Sequence, residues 1–199
     1  MDLARFAWHV RGSTPGRARA KRGQVSYPPA SERPEARPSG SDLCTTCGLC
    51  CTGLLFDVAP LEEGELPLAE KLRLPLACNQ YHDAFRLPCP CHRDRKCTVY
   101  ETRFSVCSSY ECGLLRRCKA GEVPLGEALS RVSAVLRLAD AVRRRVPALD
   151  PPRPLWDEAR EHLRQRDAED PSPAWKIERE SLVAALDELR VACRQGLDP

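Results

Sequence analysis

The segment Cys44-Thr45-Thr46-Cys47-Gly48-Leu49-Cys50-Cys51 decides the fold of this 199-residue chain. A C-x-x-C step lets two thiolates bind one metal ion while the intervening backbone turns around it, and Gly48 tolerates the positive φ that such a turn often needs. Three cysteines at this spacing can hold one face of a four-iron, four-sulfur cluster, and two of them can form half of a zinc knuckle. The side chains of the adjacent Cys50 and Cys51 diverge, so one of the two is left for a second metal, a bridge or a reactive role.

Cysteine is concentrated in this part of the chain, because eleven of the 12 cysteines lie between Cys44 and Cys118. Such a density is typical of a disulfide scaffold or of a metal site. The N-terminal segment lacks the continuous apolar core of a secretory signal peptide. Because thiols stay reduced in a protein that is not exported, we expect a cytoplasmic protein whose cysteines bind metal.

Composition argues against an integral membrane protein and gives little support to a nucleic-acid-binding one. No run approaches the roughly 18 apolar residues that cross a bilayer, so we expect no membrane partner. The net charge of +3 is too small to argue for a nucleic-acid partner by itself. The expected partner is a metal ion or cluster, and the C-terminal helices offer a surface for a protein partner.

Three segments differ in character. Residues 1–41 carry eight basic residues against three acidic ones and are expected to be a disordered Pro/Gly-rich tail, although a basic arm for nucleic acid or an acidic surface would look similar. Residues 42–121 hold the cysteines but few apolar residues. We therefore expect metal ligation to supply the folding free energy that so small an apolar core does not. Residues 122–199 are α-helical. The predicted fold class is mainly α with irregular loops, a small metal-stapled cysteine-rich domain followed by a helical extension.

Apolar residues at three- and four-residue steps predict the C-terminal helices. The strongest helix spans about 125–142, a shorter one covers 155–165, and a third spans about 174–194. Within the cysteine-rich region, short helices are expected only near 66–74 and 99–104.

Side chains of the C-terminal helices are expected to supply an apolar core. Trp156 and Trp175 should anchor that core between helices. The third helix carries one apolar stripe, on which a lone thiol behaves as a small hydrophobe. The residues of the stripe are Ile177, Leu182, Ala185, Leu186, Leu189 and Cys193.

The second group of cysteines begins Cys89-Pro90-Cys91-His92 and continues through Cys97 and Cys107 to Cys112. Together with the first segment these thiols exceed one tetrahedral site, so two metal centres and one polynuclear cluster both stay open. His92 is either a ligand beside Cys91 or a surface residue among neighbouring arginines. Weaker candidates are Cys78, His82 and Cys118.

The order C-T-T-C-G-L-C-C, then C-P, C-T-V-Y-E-T-R and C-S-S-Y-E-C, resembles the bacterial cysteine-cluster proteins of the YkgJ or CxxCxxCC type. Members of that family are described as zinc- or iron-chelating, and some as iron–sulfur-cluster-containing. The resemblance covers Cys44 to Cys118 and implies that the metal ligands are the cysteines on the family's positions. These are Cys44, Cys47, Cys50, Cys51, Cys89, Cys97, Cys107 and Cys112.

The resemblance extends to residues beside these cysteines, with two departures. Tyr100, Glu101 and Arg103 match the family's C-x-x-Y-E-x-R-P segment. Phe104 stands where the family usually has proline, and Ser108 where it usually has arginine. We expect Arg103 to pair with Glu101 or to offset thiolate charge near the metal. Loss of the second arginine removes support for an anionic-ligand site inferred from the family.

The sequence leaves the cofactor and its role open. A closed four-thiolate zinc site is structural, whereas an iron–sulfur cluster also permits electron transfer or redox sensing. The cysteine spacing favours iron–sulfur slightly, while the Cys47-Gly48 step is common in zinc knuckles. Two alternative functions stay open: an enzyme, because the family's cluster also occurs in a flagellin lysine methylase, and a zinc-stabilised protein-interaction module. The chain lacks the common dinucleotide, phosphate and hydrolase motifs, so no catalytic residue is predicted.

Overall fold

The structure is a computed structural model, and it describes residues 40–77 and 83–197. Within these residues, seven α-helices, one 3₁₀ turn and two small two-stranded sheets are joined by irregular loops. The predicted fold class, mainly α with irregular loops, is confirmed. Residues 1–39 of the predicted tail lie outside the described residues, as do Cys78 and His82.

Short elements make up the cysteine-rich region. β1 pairs antiparallel with β2, and β3 pairs antiparallel with β4. In chain order the elements are α1 (Gly40–Cys47), β1 (Val58–Pro60), α2 (Leu66–Lys71), β2 (Ala84–Arg86), β3 (His92–Arg93), β4 (Lys96–Cys97), a 3₁₀ turn (Tyr100–Thr102), α3 (Ser105–Ser109) and α4 (Gly113–Lys119).

Two of these elements are shorter than the sequence predicts. The helix expected near 66–74 stops at Lys71, because Arg73 adopts a φ of 54°. The helix expected near 99–104 is only a 3₁₀ turn, and Arg103 and Phe104 are extended. The extended backbone carries the ring of Phe104 into an apolar core, where it is 3% exposed. Tertiary packing therefore overrides the local helical pattern here.

Three long helices follow, α5 (Leu125–Arg143), α6 (Leu155–Glu169) and α7 (Pro173–Leu197), and all three predictions are confirmed. None of the helices in the described ranges has the length and apolar character needed to cross a membrane. α5 buries residues at steps of four, three and seven, which lie on one helix face. These residues are Ala128, Val132, Val135 and Val142.

The apolar stripe predicted on α7 is wrong at one residue. Leu182, Leu189 and Cys193 are buried, whereas Ile177 is 71% exposed. Trp175 is buried two residues earlier, and a two-residue step turns a side chain about 200° around the helix axis. Burial of Trp175 therefore directs Ile177 to solvent.

Both tryptophans pack between helices, as predicted, but of the two only Trp156 packs against the larger apolar core. Trp175 is 2% exposed, and its Nε1 donates a hydrogen bond to the carboxylate of Asp167 at 2.8 Å. Trp156 packs against the larger apolar core, and its Nε1 donates to the carbonyl oxygen of Leu54 at 2.8 Å. The second bond joins α6 to the loop that follows the cysteine segment.

The buried apolar residues of the described chain form two cores. In the main core, α5 and α7 pack along each other, and α1 and α4 pack against them with Leu43 and Leu114 fully buried. The second core lies around β1 and β2, where the ring centroids of Phe85 and Phe104 are 5.2 Å apart. The cysteine-rich residues and the C-terminal helices thus share one core, although their sequences differ in character.

A buried carboxylate fastens the proline-rich linker between α5 and α6. Glu158 is 1% exposed and pairs with Arg143 at the end of α5. Its Oε1 accepts hydrogen bonds from the backbone N–H groups of Leu149 and Arg153, each at 3.2 Å. One side chain on α6 therefore holds both the linker and α5.

Replacing this carboxylate is expected to destabilise the protein. Glu158→Gln keeps the size of the side chain but removes its charge and one acceptor oxygen, which leaves one of its partners without an acceptor. We expect the free energy of unfolding, measured by denaturant titration, to fall by about 1–3 kcal/mol. Glu180→Gln, at an exposed position of α7, is the matched control and should leave that free energy unchanged. Equal stabilities for the two variants would contradict the role given to Glu158.

Candidate metal centre

All four cysteines of the sequence motif lie on α1 and the turn that follows it. Cys44 and Cys47 are one helical turn apart, and the N–H of Gly48 donates to the carbonyl oxygen of Cys44 at 3.2 Å. Gly48 adopts the positive φ predicted for it, +61°. The N–H of Cys51 then donates to the carbonyl oxygen of Gly48 at 2.9 Å, which closes the turn. Cys44, Cys47 and Cys50 all pack against the main core.

Cys112 reaches the same place from α4. It is the N-cap residue of that helix, and its Sγ accepts a hydrogen bond from the N–H of Leu115 at 3.4 Å. α4 packs against α1, and Cys112 also contacts the main core. We call Cys44, Cys47, Cys50 and Cys112 the first thiol group.

The other four predicted ligands lie around the β3–β4 hairpin and α3. The N–H of Cys89 donates to the carbonyl oxygen of Cys51 at 2.8 Å, and the carbonyl oxygen of Cys89 accepts from the N–H of His92 at 3.0 Å. Strand pairing places Cys97 opposite His92, and Cys107 lies on α3. We call Cys51, Cys89, Cys97 and Cys107 the second thiol group.

Burial makes many of these thiols poor acids. It is the largest cause that raises the pKa of Cys47, Cys51 and Cys89 to about 12. Burial likewise raises the pKa of Cys107 to about 11 and that of Cys50 well above its ordinary value. As free thiols these groups are therefore protonated at neutral pH.

The members of the first thiol group also affect one another. After burial, the charge of Cys112 is the main cause that raises the pKa of Cys44. After burial, the pKa of Cys50 is raised by Cys47, Cys51, Cys112 and Cys44 in that order. Such electrostatic effects act between close neighbours, so the fold brings Cys112 to the motif from a distant part of the sequence.

The second thiol group behaves in the same way. After burial, Cys107 and Cys97 are the main causes that raise the pKa of Cys51. After burial, Cys89 and Cys97 raise the pKa of Cys107. Cys44 makes a smaller contribution at Cys51, so the two groups are adjacent.

One guanidinium lies near both groups. Burial raises the pKa of Cys44, Cys51 and Cys107, and the positive charge of Arg103 counteracts burial at all three. The guanidinium carbon of Arg103 lies 4.2 Å from the ring centroid of Tyr100, a cation–π contact. In this position Arg103 can offset thiolate charge, which is one of its two predicted roles.

Sequence reasoning did not identify Lys119 as a residue of this region. Its positive charge lowers the pKa of Cys44, and this effect is smaller than those of burial, Cys112 and Arg103. Lys119 is the last residue of α4, and its ammonium pairs with Glu111. Only the packing of α4 against α1 places it near the motif, so no local sequence signal could have found it.

His92 lies against the cysteine turn. It is half-buried, and its Nε2 is buried without a hydrogen-bond partner among the described residues. A Cβ placed on Gly48 would be 2.4 Å from that nitrogen. Burial lowers the pKa of His92. The interpretation of His92 as an ordinary surface residue is therefore wrong, and it stays a candidate for contact with the metal centre.

Three described cysteines are not among the eight predicted ligands, although Cys91 is the thiol whose charge most raises the pKa of Cys89. Cys91 is 7% exposed and forms part of the second core, next to Cys89. Cys118 packs against the main core. Cys193 is buried on α7, where burial raises its pKa to about 12.

The donor set fits a thiolate-bound metal. Sulfur ligands suit zinc and iron–sulfur clusters, and each thiol group offers the four thiols of a closed site. In the ranges 40–77 and 83–197 the eleven cysteines are free thiols, and no three His, Cys, Asp or Glu side chains already converge on a point that would hold an ion. Ligation therefore requires the side chains to rotate toward a common centre and to lose their protons.

Comparisons with known proteins assign no family to the chain. No protein-family model, no curated protein and no solved structure matches it. The resemblance to the YkgJ-type family rests on the spaced motifs between Cys44 and Cys118.

A methyl group at Gly48 is expected to damage the cysteine turn. Gly48→Ala meets two penalties, a positive φ, which costs about 1–2 kcal/mol for a residue with a Cβ, and a collision with His92. Gly121→Ala is the matched control, because its φ is +78° and a Cβ there meets nothing within 4 Å. We expect Gly48→Ala to lower the free energy of unfolding more than Gly121→Ala, and His92→Ala to reduce the difference. Equal losses would contradict the contact.

The raised pKa values predict slow alkylation of the metal-free chain. At pH 8 a thiol with a pKa of about 12 is a thiolate in on the order of one molecule in ten thousand, against roughly a quarter for an ordinary cysteine. At Cys47, Cys51 and Cys89, followed individually by peptide mass spectrometry, we expect the native rate with iodoacetamide to be at least about tenfold below that of the urea-unfolded chain. Because thiolate appears only as the pH approaches these pKa values, the native rate should keep rising from pH 8 to 10. The unfolded chain should level off above about pH 9, and identical profiles would refute the shifts.

Proposed function

We propose that this protein binds metal, and that its cysteine thiolates hold an iron–sulfur cluster or zinc in a structural or redox role. The proposed location is the reducing cytoplasm, where thiols are available as ligands. Zinc would supply a closed structural centre, and an iron–sulfur cluster would in addition supply one-electron chemistry.

One observation carries the proposal: eight thiols from distant segments are neighbours in two groups of four. Cys44 to Cys51 come from α1 and its turn, Cys89 from the loop before the hairpin, Cys97 from β4, Cys107 from α3 and Cys112 from the N-terminus of α4. A protein that needed these residues only as small hydrophobes would have no reason to place three of them, Cys44, Cys51 and Cys107, near the charge of Arg103. Cys193 is an example of that other use, because it is buried alone on the apolar face of α7.

Proton balance supports the same proposal. Burial and mutual repulsion disfavour the thiolates in the metal-free chain, as the pKa of about 12 for Cys47 illustrates. A metal cation reverses this preference, since coordinating thiols are deprotonated outright. Binding would therefore release protons, and the affinity would rise with pH. Arg103 and Lys119 would offset the negative charge that several thiolates leave around the metal.

The position of the first thiol group supports a structural role. Its members lie on α1 and its turn and at the start of α4; α1 packs against α4 and α5, and α4 packs against α5 and α7. A metal that joined α1 to α4 would fix one side of the main core. Its free energy of binding would then be folding free energy for the whole described chain.

The proposal is tested by metal analysis after aerobic and anaerobic purification. We expect stoichiometric zinc, or iron with acid-labile sulfide and visible absorbance. Replacing Cys44, Cys47, Cys50 and Cys51 together by Ser should remove most of the metal and lower the thermal midpoint. Cys193→Ser is the matched control, because it changes a cysteine outside both groups and should retain the metal.

Two outcomes would reject the proposal. The first is wild-type protein that carries no metal after either purification and takes up neither zinc nor iron on reconstitution. The second is equal metal content in the quadruple variant and in Cys193→Ser. Chelation that leaves the thermal midpoint unchanged would reject the structural role alone.

A further inference from the structure

We propose that the first and second thiol groups form two separate metal sites, joined by the peptide bond between Cys50 and Cys51. This inference rests on the proposed function and adds the number of sites and the ligands of each. The sequence left a single polynuclear cluster and two centres equally open.

The first site is defined by packing. Cys44 and Cys47 are three residues apart on α1 and share one helix face. Cys50, in the turn beyond Gly48, packs against the same main core as these two residues. Cys112 contacts the same core from the N-terminus of α4. No member of the second thiol group packs against the main core among the described residues.

The second site is defined by backbone hydrogen bonds. The 2.8 Å bond from the N–H of Cys89 to the carbonyl oxygen of Cys51 ties the hairpin to the cysteine turn. The hairpin then places Cys97 close to Cys89, since Cys97 pairs with His92 and His92 is bonded to Cys89. Cys89 contacts the second core, whereas the first group contacts the main core.

Cys107 is brought to the second site by an anchor at the start of α3. The carboxylate of Glu65 accepts hydrogen bonds from the N–H and Oγ of Ser105, at 2.7 and 2.8 Å. This anchor fixes the first residue of α3 and, two residues on, the position of Cys107. The cysteine is exposed as a residue, so the second site lies nearer to solvent than the first.

Cys50 and Cys51 form the division between the sites. Consecutive Cα atoms are about 3.8 Å apart and their side chains point in different directions, so both thiols do not suit one tetrahedral ion. The electrostatic neighbours agree with this division, because Cys47 is the strongest thiol influence on Cys50 and Cys107 is the strongest on Cys51.

Two neighbouring thiolate sites need a shared positive charge. A divalent ion bound by four thiolates carries net negative charge, and two such sites side by side repel each other. Arg103 acts on Cys44 of the first group and on Cys51 and Cys107 of the second. Its guanidinium therefore lies where it can screen one site from the other.

The test is a titration of the metal-free, reduced full chain with Co²⁺ under anaerobic conditions, followed by thiolate-to-cobalt charge-transfer absorbance. We expect saturation at two equivalents for the wild type. Cys47→Ser in the first group and Cys97→Ser in the second should each halve the absorbance, and the double variant should lose it. Cys118→Ser, outside both groups, is the matched control and should retain two equivalents. Metal content of the proteins as isolated should follow the same pattern.

The possible results separate the inference from the proposed function. Saturation at one equivalent, with either single substitution abolishing all absorbance, would establish one shared centre and overturn the two-site inference only. Absence of thiolate absorbance in the wild type, together with the absence of zinc, iron and acid-labile sulfide from the protein as isolated and after reconstitution, would overturn the proposed function as well. Cys44→Ser and Cys107→Ser repeat the comparison with a second member of each group, and circular dichroism of every variant confirms that a lost signal is not a lost fold. A pair of variants that fold yet retain two equivalents would also overturn the inference.

Discussion

The packing of α1 and α4 against α5 and α7 is the constraint on which the cysteine site depends. It brings the N-terminus of α4 to the cysteine turn, and so places Cys112 beside Cys44. It also removes Cys47 and Cys50 from water, which makes them poor acids. Geometry and acidity therefore have one origin, the burial of residues such as Leu43 and Leu114. The C-terminal helices act here as the support of the site.

Features set by local chemistry could be predicted from the sequence. α5 is predicted by apolar residues at helical steps. The positive φ of Gly48 is predictable because glycine is the residue type that adopts such a φ freely. The buried state of Cys193 follows from its place on an amphipathic helix. Each of these depends on residues within a few positions of one another.

Features set by the meeting of distant segments could not be predicted in this way. Nothing in the spacing indicates that Cys112 joins the motif while Cys107 faces Cys51. The burial of the His92 ring over Gly48 also depends on how the hairpin docks on α1. Ile177 shows that the same holds within a helix, because the burial of Trp175 two residues earlier turns Ile177 toward solvent. Periodicity indicates that a helix has an apolar face but leaves the edge of that face undefined.

The hydrogen bond from Trp156 to Leu54 has a consequence for the order of events during synthesis. It joins residues 102 positions apart, and chains emerge from the ribosome with their N-terminal parts first. The cysteines thus enter solution before the helices that bury them exist. In that interval they keep the acidity of ordinary thiols and are better ligands than in the closed metal-free fold. Under the proposed function, the chain would therefore capture metal first and close its apolar core afterwards.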